Sequence, residues 1–366
     1  MSKLSEELKN YGKKVMLCYG GGSIKRNGIY YQVMAELKKA GCEVVEIAGV
    51  MPNPTIEKVL EGARTARKEN VDFILGVGGG STVDYCKAVA GSAWYDGDPW
   101  EYYFKNGQPM TCRWIPVGCV LTMAGTGSEM DSCSVISSHT ENRKMFYNFR
   151  NPDFAILNPR FTFTVPKYQM VAGIYDIMSH ILEQYLSGTD DNTSDYIAEG
   201  LMRSLIVSSR KANVNPEDYE ARSNIMWTAT WALNSLLKCG KGGDWEVHQI
   251  GHAIGLVTDA THGMTLASVS LPYYRHVMHD GLHQFVRFAE NVWGVRPEGK
   301  SDEQIATEGL GCLESWMKEI GVVMHSRELG VTEENLQAVA DAVLILPVGY
   351  RTLTKDEVME ILRESM

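Results

Sequence analysis

The hydrophobic periodicity of the chain changes once, near residue 165, and this change constrains the fold more than any other feature. Before it, short runs rich in β-branched residues alternate with segments of helical periodicity, which is typical of a parallel sheet covered by helices. After it, the periodicity is helical and strand signals are few. We therefore predict an α/β domain over residues 1–165, followed by an all-α domain over residues 166–366.

Apolar runs bounded by glycine, proline or polar residues give the positions of the individual elements. Strands are predicted at 14–19, 42–50, 73–77 and 113–121, and helices at 30–40 and 56–68. In the second domain, helical patterns cover 171–186, 194–207, 219–237 and 306–320. No long flexible linker separates the domains, so we expect them to pack together and leave a cleft, where small-molecule sites are common.

Composition and charge exclude several classes of partner. Hydrophobic residues make up 44% of the 366 residues and charged residues 22%, a balance that allows a large core. With 35 basic and 45 acidic residues the net charge is -10, so no broad positive field attracts nucleic acid or anionic lipid. The sequence also shows no secretory signal and no apolar run of about 20 residues. We therefore expect neither a nucleic-acid nor a membrane partner.

The cysteines favour a reducing compartment. They contain no CxxC pair, and most lie within apolar segments, where a thiol behaves as a small hydrophobic group. This spacing supports neither a disulfide framework nor a cysteine metal site, so a cytoplasmic location is expected. The eight cysteines are Cys18, Cys42, Cys86, Cys112, Cys119, Cys133, Cys239 and Cys312.

Three turns of small residues, at 20–23, 78–81 and 122–128, each follow a predicted strand. A backbone without Cβ atoms approaches a pyrophosphate closely and points its N–H groups at the anion. None of the turns has the GxGxxG spacing, because Lys25 stands where the third glycine of the first turn should be. One such turn is equally typical of an ordinary strand-to-helix connection, whereas three in one sheet favour a dinucleotide site.

The first of these turns indicates which dinucleotide is bound. It contains no carboxylate to accept a hydrogen bond from a ribose 2'-hydroxyl, but it offers the Ser23 hydroxyl and the cations Lys25 and Arg26. A 2'-phosphate suits this environment, and an acidic residue would repel it. Our hypothesis is a preference for NADP(H) over NAD(H).

Histidines and one aspartate recur at helical spacing in the second domain. Asp176 and His180 are four residues apart in one helical segment and therefore share a face. His248 and His252 repeat this spacing, and His262 follows fourteen residues after His248. Imidazole nitrogens and a carboxylate oxygen are suitable ligands for a divalent metal. Isolated histidines are usually structural, but five residues in two such motifs favour a metal site.

A shared ion requires a bend between the later histidines. In one continuous helix His248 and His262 would lie about 21 Å apart, at 1.5 Å per residue. Gly255 and the polar residues Thr258, Asp259 and Thr261 predict the break that returns His262 toward His248. Geometry alone leaves open which of the three later histidines is not a ligand. A rival cluster, His276, His279 and His283, lies among charged residues and predicts a solvated helix face, while His139 and His325 belong to no cluster.

Several motifs together carry a resemblance over nearly the whole chain. They are YGGGSIKRNG, MPNPT, GVGGGSTVDYCKA, AGTGSEM, the Asp-x3-His pair and HQIGHAIG with its later histidine. In these motifs the chain resembles the iron-containing (group III) alcohol dehydrogenases, within them the butanol dehydrogenase and NADPH-dependent aldehyde reductase branch. The resemblance implies a dehydroquinate synthase-like architecture, with a dinucleotide-binding domain followed by a helical metal-binding domain.

The resemblance also implies the site residues. Asp176, His180, His248 and His262 would bind one divalent ion, with His252 facing the nicotinamide. Iron is the metal expected for the family, and zinc suits the same donors. The candidate cofactor contacts are Gly20, Gly21, Ser23, Asn53, Gly80, Ser81, Thr122, Thr126 and Lys144.

The implied activity is hydride transfer between NADP(H) or NAD(H) and short-chain primary alcohols or aldehydes, such as butanol and butyraldehyde. His252 is our candidate for passing the proton between the site and solvent, because imidazole titrates near neutral pH. A lyase or cyclase of the dehydroquinate synthase type is an alternative, but its anionic sugar phosphate calls for basic residues that the site segments lack. A non-catalytic nucleotide-binding protein is a third possibility, and it would have no need of four metal ligands.

One departure from the family concerns assembly. Its members usually begin with a strand pair that precedes the helix starting here near Ser5, and this sequence does not contain that pair. The resemblance implies a homodimer, commonly formed through an edge strand of the pair, so that expectation is weakened here. An uncovered sheet edge would instead favour self-association.

Overall fold

The computed structural model describes residues 1–188 and 193–366. The chain forms two compact units, Met1–Val165 and Pro166–Met366. Within the described residues, no helix is both long enough and apolar enough to cross a membrane.

A five-stranded parallel sheet forms the centre of the first unit, in the order β2-β1-β3-β4-β7. The strands in the middle of the sheet are buried, which is typical of parallel sheets that helices cover on both faces. The strands are β1 (Lys14–Tyr19), β2 (Glu43–Ile47), β3 (Phe73–Gly78), β4 (Val117–Leu121) and β7 (Phe154–Leu157).

Alternate residues of β1 pack into two separate apolar clusters, one on each face of the sheet. Val15 and Leu17 contribute to the cluster that contains Leu4 and residues of α3. Met16 and Cys18 contribute to the cluster that contains residues of α4 and α5. The helices of this unit are α1 (Leu4–Glu7), α2 (Ser23–Arg26), α3 (Ile29–Lys39), α4 (Ile56–Lys68) and α5 (Gly80–Ser92).

An antiparallel hairpin, β5 (Cys133–Ser138) and β6 (Arg143–Asn148), also belongs to the first unit and was not predicted. Its turn includes Asn142, whose φ of 49° is a left-handed conformation that asparagine tolerates. A single bridge from Ser137 to Thr55 connects the hairpin to the segment just before α4.

The second unit is helical, and its described residues form no strand. Its helices are α6 (Lys167–Tyr185), α7 (Thr193–Val214), α8 (Tyr219–Ala232), α9 (Glu246–Thr258), α10 (His262–Val277), α11 (Leu282–Phe288), α12 (Asp302–Ile320), α13 (Leu336–Ala342) and α14 (Lys355–Ser365). The predicted bend between His248 and His262 is confirmed. α9 ends at Thr258, Asp259 adopts a φ of 54°, and α10 begins at His262.

The element predictions differ from the structure mainly at their ends. The strand at 14–19 and the helix at 56–68 have the predicted bounds. The strand predicted at 42–50 covers only Glu43–Ile47, because Gly49 turns the chain with a φ of 77°. The strand predicted at 113–121 begins at Val117, directly after Pro116, which has no N–H to donate to a ladder.

Candidate metal and cofactor sites

Three imidazole nitrogens of the second unit lie around one carboxylate oxygen, Oδ1 of Asp176. His180 Nδ1 and His248 Nε2 are each 3.8 Å from it. His262 Nε2 is 3.5 Å away. The structure therefore brings together all four residues that the resemblance implies as metal ligands.

Three helices supply these side chains. Asp176 and His180 are one turn apart on α6, His248 lies in the first turn of α9, and His262 is the first residue of α10. Gly263 allows this arrangement, because a Cβ there would overlap the backbone carbonyl oxygen of Ala172 on α6. The absence of a side chain at Gly263 brings the start of α10 against α6, beside Asp176.

The donor set fits a divalent metal. Separations of 3.5 to 3.8 Å are too long for hydrogen bonds. They approach the distance of about 3.4 Å expected between ligands of a tetrahedral ion with bonds of about 2.1 Å. Ligand atoms of Asp176, His248 and His262 all lie within 4.8 Å of one another, while His180 lies outside this mutual set.

His180 has a feature that a metal ligand needs. Its Nδ1 is buried and has no hydrogen-bond partner in the described part of the chain. Burial lowers the pKa of His180 well below its ordinary value, and the neighbouring His248 lowers it further. A neutral imidazole with an available lone pair is the form that binds a metal.

His252 lies beside this group. Its ring centroid is 5.0 Å from that of His262 and 5.9 Å from that of His248, and the residue is half-buried. It is not a member of the mutual set of ligand atoms. His252 is therefore next to the candidate metal ligands and retains some access to solvent.

The other histidines lie elsewhere. His279 and His283 are exposed, and so are His139 and His325. The predicted single helix face for His276, His279 and His283 is wrong, because α10 ends at Val277, His279 lies in the turn that follows, and His283 lies on α11. His276 differs, because it is half-buried with its Nε2 3.3 Å from Glu357 Oε1.

Sequence reasoning missed a carboxylate behind His248. Glu183 is fully buried on α6, and its Oε1 forms a short hydrogen bond with His248 Nδ1. The Ser179 hydroxyl donates to the same oxygen at 2.8 Å. Burial raises the pKa of Glu183, and the hydrogen bonds that its carboxyl group accepts from Ser179 and from the backbone of His248 oppose this rise. The sequence indicates Glu183 only through its position, because it follows His180 by three residues in the predicted helix and therefore lies near the same face.

The candidate cofactor residues of the first unit lie largely at the carboxyl edge of its sheet, where ligands of open parallel sheets bind. Gly20 and Gly21 follow β1, and Ser23 begins α2. Gly80 and Ser81 form the first turn of α5, directly after β3. The helix N-terminus therefore offers unpaired backbone N–H groups at this edge.

Thr122 and Thr126 follow β4 and complete this edge. The Thr122 N–H donates to the Gly78 carbonyl at 2.9 Å. A Cβ on Gly80 would overlap the Thr126 side chain, so the two loops are in close contact. Lys144, on the hairpin, donates to the Asn53 side-chain oxygen at 2.9 Å. Each of the nine candidate cofactor residues thus lies in the first unit.

A buried lysine holds the last loop in place. Lys87 on α5 is fully buried, and its Nζ donates to Asp131 Oδ1 at 2.9 Å and to the Ser128 carbonyl at 3.0 Å. Asp84 Oδ1 lies 3.6 Å from the same nitrogen. These contacts tie the segment between β4 and β5 to the helix that begins at Gly80.

A second missed carboxylate lies near the first loop. Glu46, on β2, accepts hydrogen bonds from the Tyr19 and Tyr30 hydroxyls, both at 2.6 Å. Its Oε2 is 3.8 Å from Lys25 Nζ. These hydrogen bonds from the two tyrosines and the charge of Lys25 lower the pKa of Glu46, although burial, the largest single influence, opposes them. In the sequence, the indication of Glu46 was an acidic residue on the second predicted strand, outside the first glycine turn.

Comparisons with known proteins match both parts of the chain to one family. The family model "Iron-containing alcohol dehydrogenase" matches residues 1–159, and "Fe-containing alcohol dehydrogenase family, C-terminal" matches residues 170–366. The probable NADH-dependent butanol dehydrogenase 1 of Bacillus subtilis is 40% identical over 100% of this chain and 95% of its own length. The NADPH-dependent aldehyde reductase YqhD of Escherichia coli is 35% identical, over 89% of this chain and 84% of its own length.

A solved structure gives the same result. The chain superposes on NADH-dependent butanol dehydrogenase A of Thermotoga maritima with a TM-score of 0.94 and 38% identity, over 99% of this chain and 94% of that one. The predicted dehydroquinate synthase-like architecture is confirmed, because it is the fold of these relatives. With family models that together cover most of the sequence, the chain belongs to the iron-containing alcohol dehydrogenase family.

Proposed function

We propose that this oxidoreductase binds one divalent metal through Asp176, His180, His248 and His262, and reduces short-chain aldehydes such as butyraldehyde to primary alcohols. The observation that carries the proposal is the set of three imidazole nitrogens at 3.5 to 3.8 Å from Asp176 Oδ1. Membership of the family implies a divalent metal and a nicotinamide cofactor. The printed names of the relatives, butanol dehydrogenase and aldehyde reductase, support the substrate class.

The metal ligands and His252 have separate roles in the proposed reaction. When bound, the metal polarises the substrate oxygen and the nicotinamide carries the hydride. Asp176 supplies the one charged ligand, and the histidines supply neutral ones. His252 passes a proton between the substrate oxygen and solvent, a role that its half-buried position beside His262 supports.

We propose that the first unit, 1–165, binds the dinucleotide and the second, 166–366, binds the metal. The pyrophosphate lies against the N-terminus of α5 and the loops after β1 and β4, where backbone N–H groups are concentrated. We also propose a cytoplasmic location, because the cysteine spacing is that of a chain kept reduced.

For the cofactor we propose NADP(H) over NAD(H). Lys25 and Arg26 follow Ser23 in α2, and their two positive charges outweigh the single negative charge of Glu46. Glu46 limits the preference, because its carboxylate attracts Lys25 and would repel a 2'-phosphate.

The test is consumption of NADPH with butyraldehyde by purified protein reconstituted with Fe²⁺ or Zn²⁺. Asp176→Asn removes the only charged ligand, and we expect it to lower kcat/KM by at least about a hundredfold, since losing one strong electrostatic stabiliser of the transition state costs about that much. His279→Ala is the matched control, because His279 is exposed and lies outside the site. A chelator should reproduce the Asp176→Asn loss in the unmodified protein.

Aldehyde reduction that persists both in the presence of the chelator and in Asp176→Asn would contradict the proposed metal site. Binding of NADPH without turnover of any aldehyde or alcohol in a panel would contradict the substrate class.

A further inference from the structure

We propose that Glu183 is a positioning residue, which fixes the His248 imidazole in the tautomer that presents Nε2 to the metal. The inference rests on the proposed metal site and deepens it by adding a residue that contacts no metal. Glu183 lies on α6, between the Asp176–His180 pair and the end of that helix.

The two nitrogens of His248 have separate partners. Nδ1 is hydrogen-bonded to Glu183 Oε1. Nε2, on the opposite side of the ring, lies 3.8 Å from Asp176 Oδ1. The Ser179 hydroxyl and the backbone N–H of His248 both donate to the Glu183 carboxyl group, which favours its ionised, accepting form. Nδ1 is then the donor of the pair, and Nε2 keeps its lone pair for the metal.

Further hydrogen bonds hold the Glu183 carboxylate at a fixed orientation. Its Oε1 accepts from the Ser179 hydroxyl at 2.8 Å. Its Oε2 accepts from the backbone N–H of His248 itself at 3.1 Å. Glu183 therefore binds both the ring and the backbone of one ligand residue, and joins the start of α9 to α6.

The surroundings make this arrangement rigid. Glu183 and Ser179 have no exposed surface, and His248 is 6% exposed. The Asp244 N–H, just before α9, donates to the Glu183 backbone carbonyl at 2.8 Å. Hydrogen bonds in so buried a site are stronger than in water.

The test measures metal affinity rather than activity. Zn²⁺ binding is measured by competition with a chromogenic chelator for the unmodified protein, Glu183→Gln and Glu246→Gln. Partners of metal-bound histidines typically contribute 10- to 100-fold in affinity, so we expect a loss of about that size for Glu183→Gln. Glu246 is the matched control: it is a buried carboxylate on α9 whose Oε1 accepts from the backbone N–H of Leu346 rather than from an imidazole.

A second readout reports the tautomer. In protein carrying ¹⁵N-labelled histidine, long-range ¹H–¹⁵N spectra distinguish a protonated Nδ1 from a protonated Nε2. We expect the His248 signals of the metal-free protein to show protonated Nδ1, and those of Glu183→Gln to show a mixture. A residue that only supports folding would leave the tautomer unchanged.

The outcomes separate this inference from the function. If the unmodified protein binds Zn²⁺ and Glu183→Gln binds it equally well, the positioning role is wrong and the metal site stands. If the unmodified protein binds no Zn²⁺, or if Asp176→Asn binds as much Zn²⁺ as the unmodified protein, both proposals are wrong. Should Glu183→Gln fail to fold, Ser179→Ala removes one donor and keeps the carboxylate. Its expected result is a smaller loss of affinity, and unchanged affinity would overturn the role.

Discussion

Glu46 and Glu183 lie next to residues that the sequence predicted, and each changes how its neighbour can act. Glu46 is within 3.8 Å of the Lys25 ammonium, and Glu183 is hydrogen-bonded to His248. The predicted residues could be found because their types and spacing are those of a metal or phosphate site. Their partners could not be found in this way, because most glutamates in strands and helices are exposed to solvent, and the sequence alone does not identify one that is buried.

The charge balance at Lys25 predicts how cofactor preference changes. Lys25→Met removes a cation from the first loop, so kcat/KM for NADPH should fall by about tenfold or more, since a hydrogen bond to a charged group contributes about 1.5–3 kcal/mol. The value for NADH should change little. Glu46→Gln should shift the preference further toward NADPH. The measurement is kcat/KM for each cofactor at one saturating aldehyde concentration.

Lys38→Met is the control for the loss of a surface charge, because Lys38 is exposed near the far end of α3. Equal losses with both cofactors in Lys25→Met, or a preference for NADH in the unmodified protein, would argue against a 2'-phosphate site.

His252 predicts a change in pH dependence. A positioned general acid typically contributes about 10²–10⁴-fold, so His252→Ala should lower kcat by about a hundredfold. It should also change the pH dependence of kcat/KM. Metal content should stay unchanged, because the proposed ligands are the three histidines around Asp176 Oδ1, and His252 is not one of them. An unaltered rate and profile in the variant would eliminate the proton relay.

At the scale of elements, strong periodicity gave strands and helices in the right places, and local chemistry decided their ends. β1 and α4 were predicted at their observed bounds, and the break between α9 and α10 followed from Asp259 and its neighbours. The β5–β6 hairpin was missed because its strands carry serines, charges and an asparagine, and neither has a continuous apolar face.

Two glycines of α12 predict opposite effects on stability. A Cβ at Gly309 would lie 2.6 Å from Ala289 Cβ and 2.9 Å from Ala289 Cα, which are rigid neighbours. Gly309→Ala should therefore lower the free energy of unfolding by about 1–3 kcal/mol. Gly311 faces open space, and Gly311→Ala should raise that free energy by about 0.5–1 kcal/mol. Urea unfolding followed by circular dichroism measures both.

If both variants unfold at the midpoint of the unmodified protein, the close approach of α12 to the segment that begins at Ala289 does not restrict residue size there.

For the whole molecule, the change of periodicity near residue 165 predicted the order of the chain's architecture, a sheet first and helices after it. The parallel connections from β1 to β4 follow from the alternation of strands with helices, whereas β4 and β7 are connected through the β5–β6 hairpin. Periodicity could not predict which helices of the second unit meet. That depends on small residues such as Gly263, whose contact with Ala172 is invisible in a single sequence.

The separation of the candidate residues into two consecutive stretches has a consequence for synthesis. The candidate cofactor residues run from Gly20 to Lys144, and the proposed ligands from Asp176 to His262. The ribosome therefore synthesises every candidate cofactor residue before the first proposed metal ligand, Asp176. Because His262 begins the helix that completes the donor set, all four proposed ligands can hold iron or zinc only after translation has passed that residue, when every strand of the sheet has been synthesised.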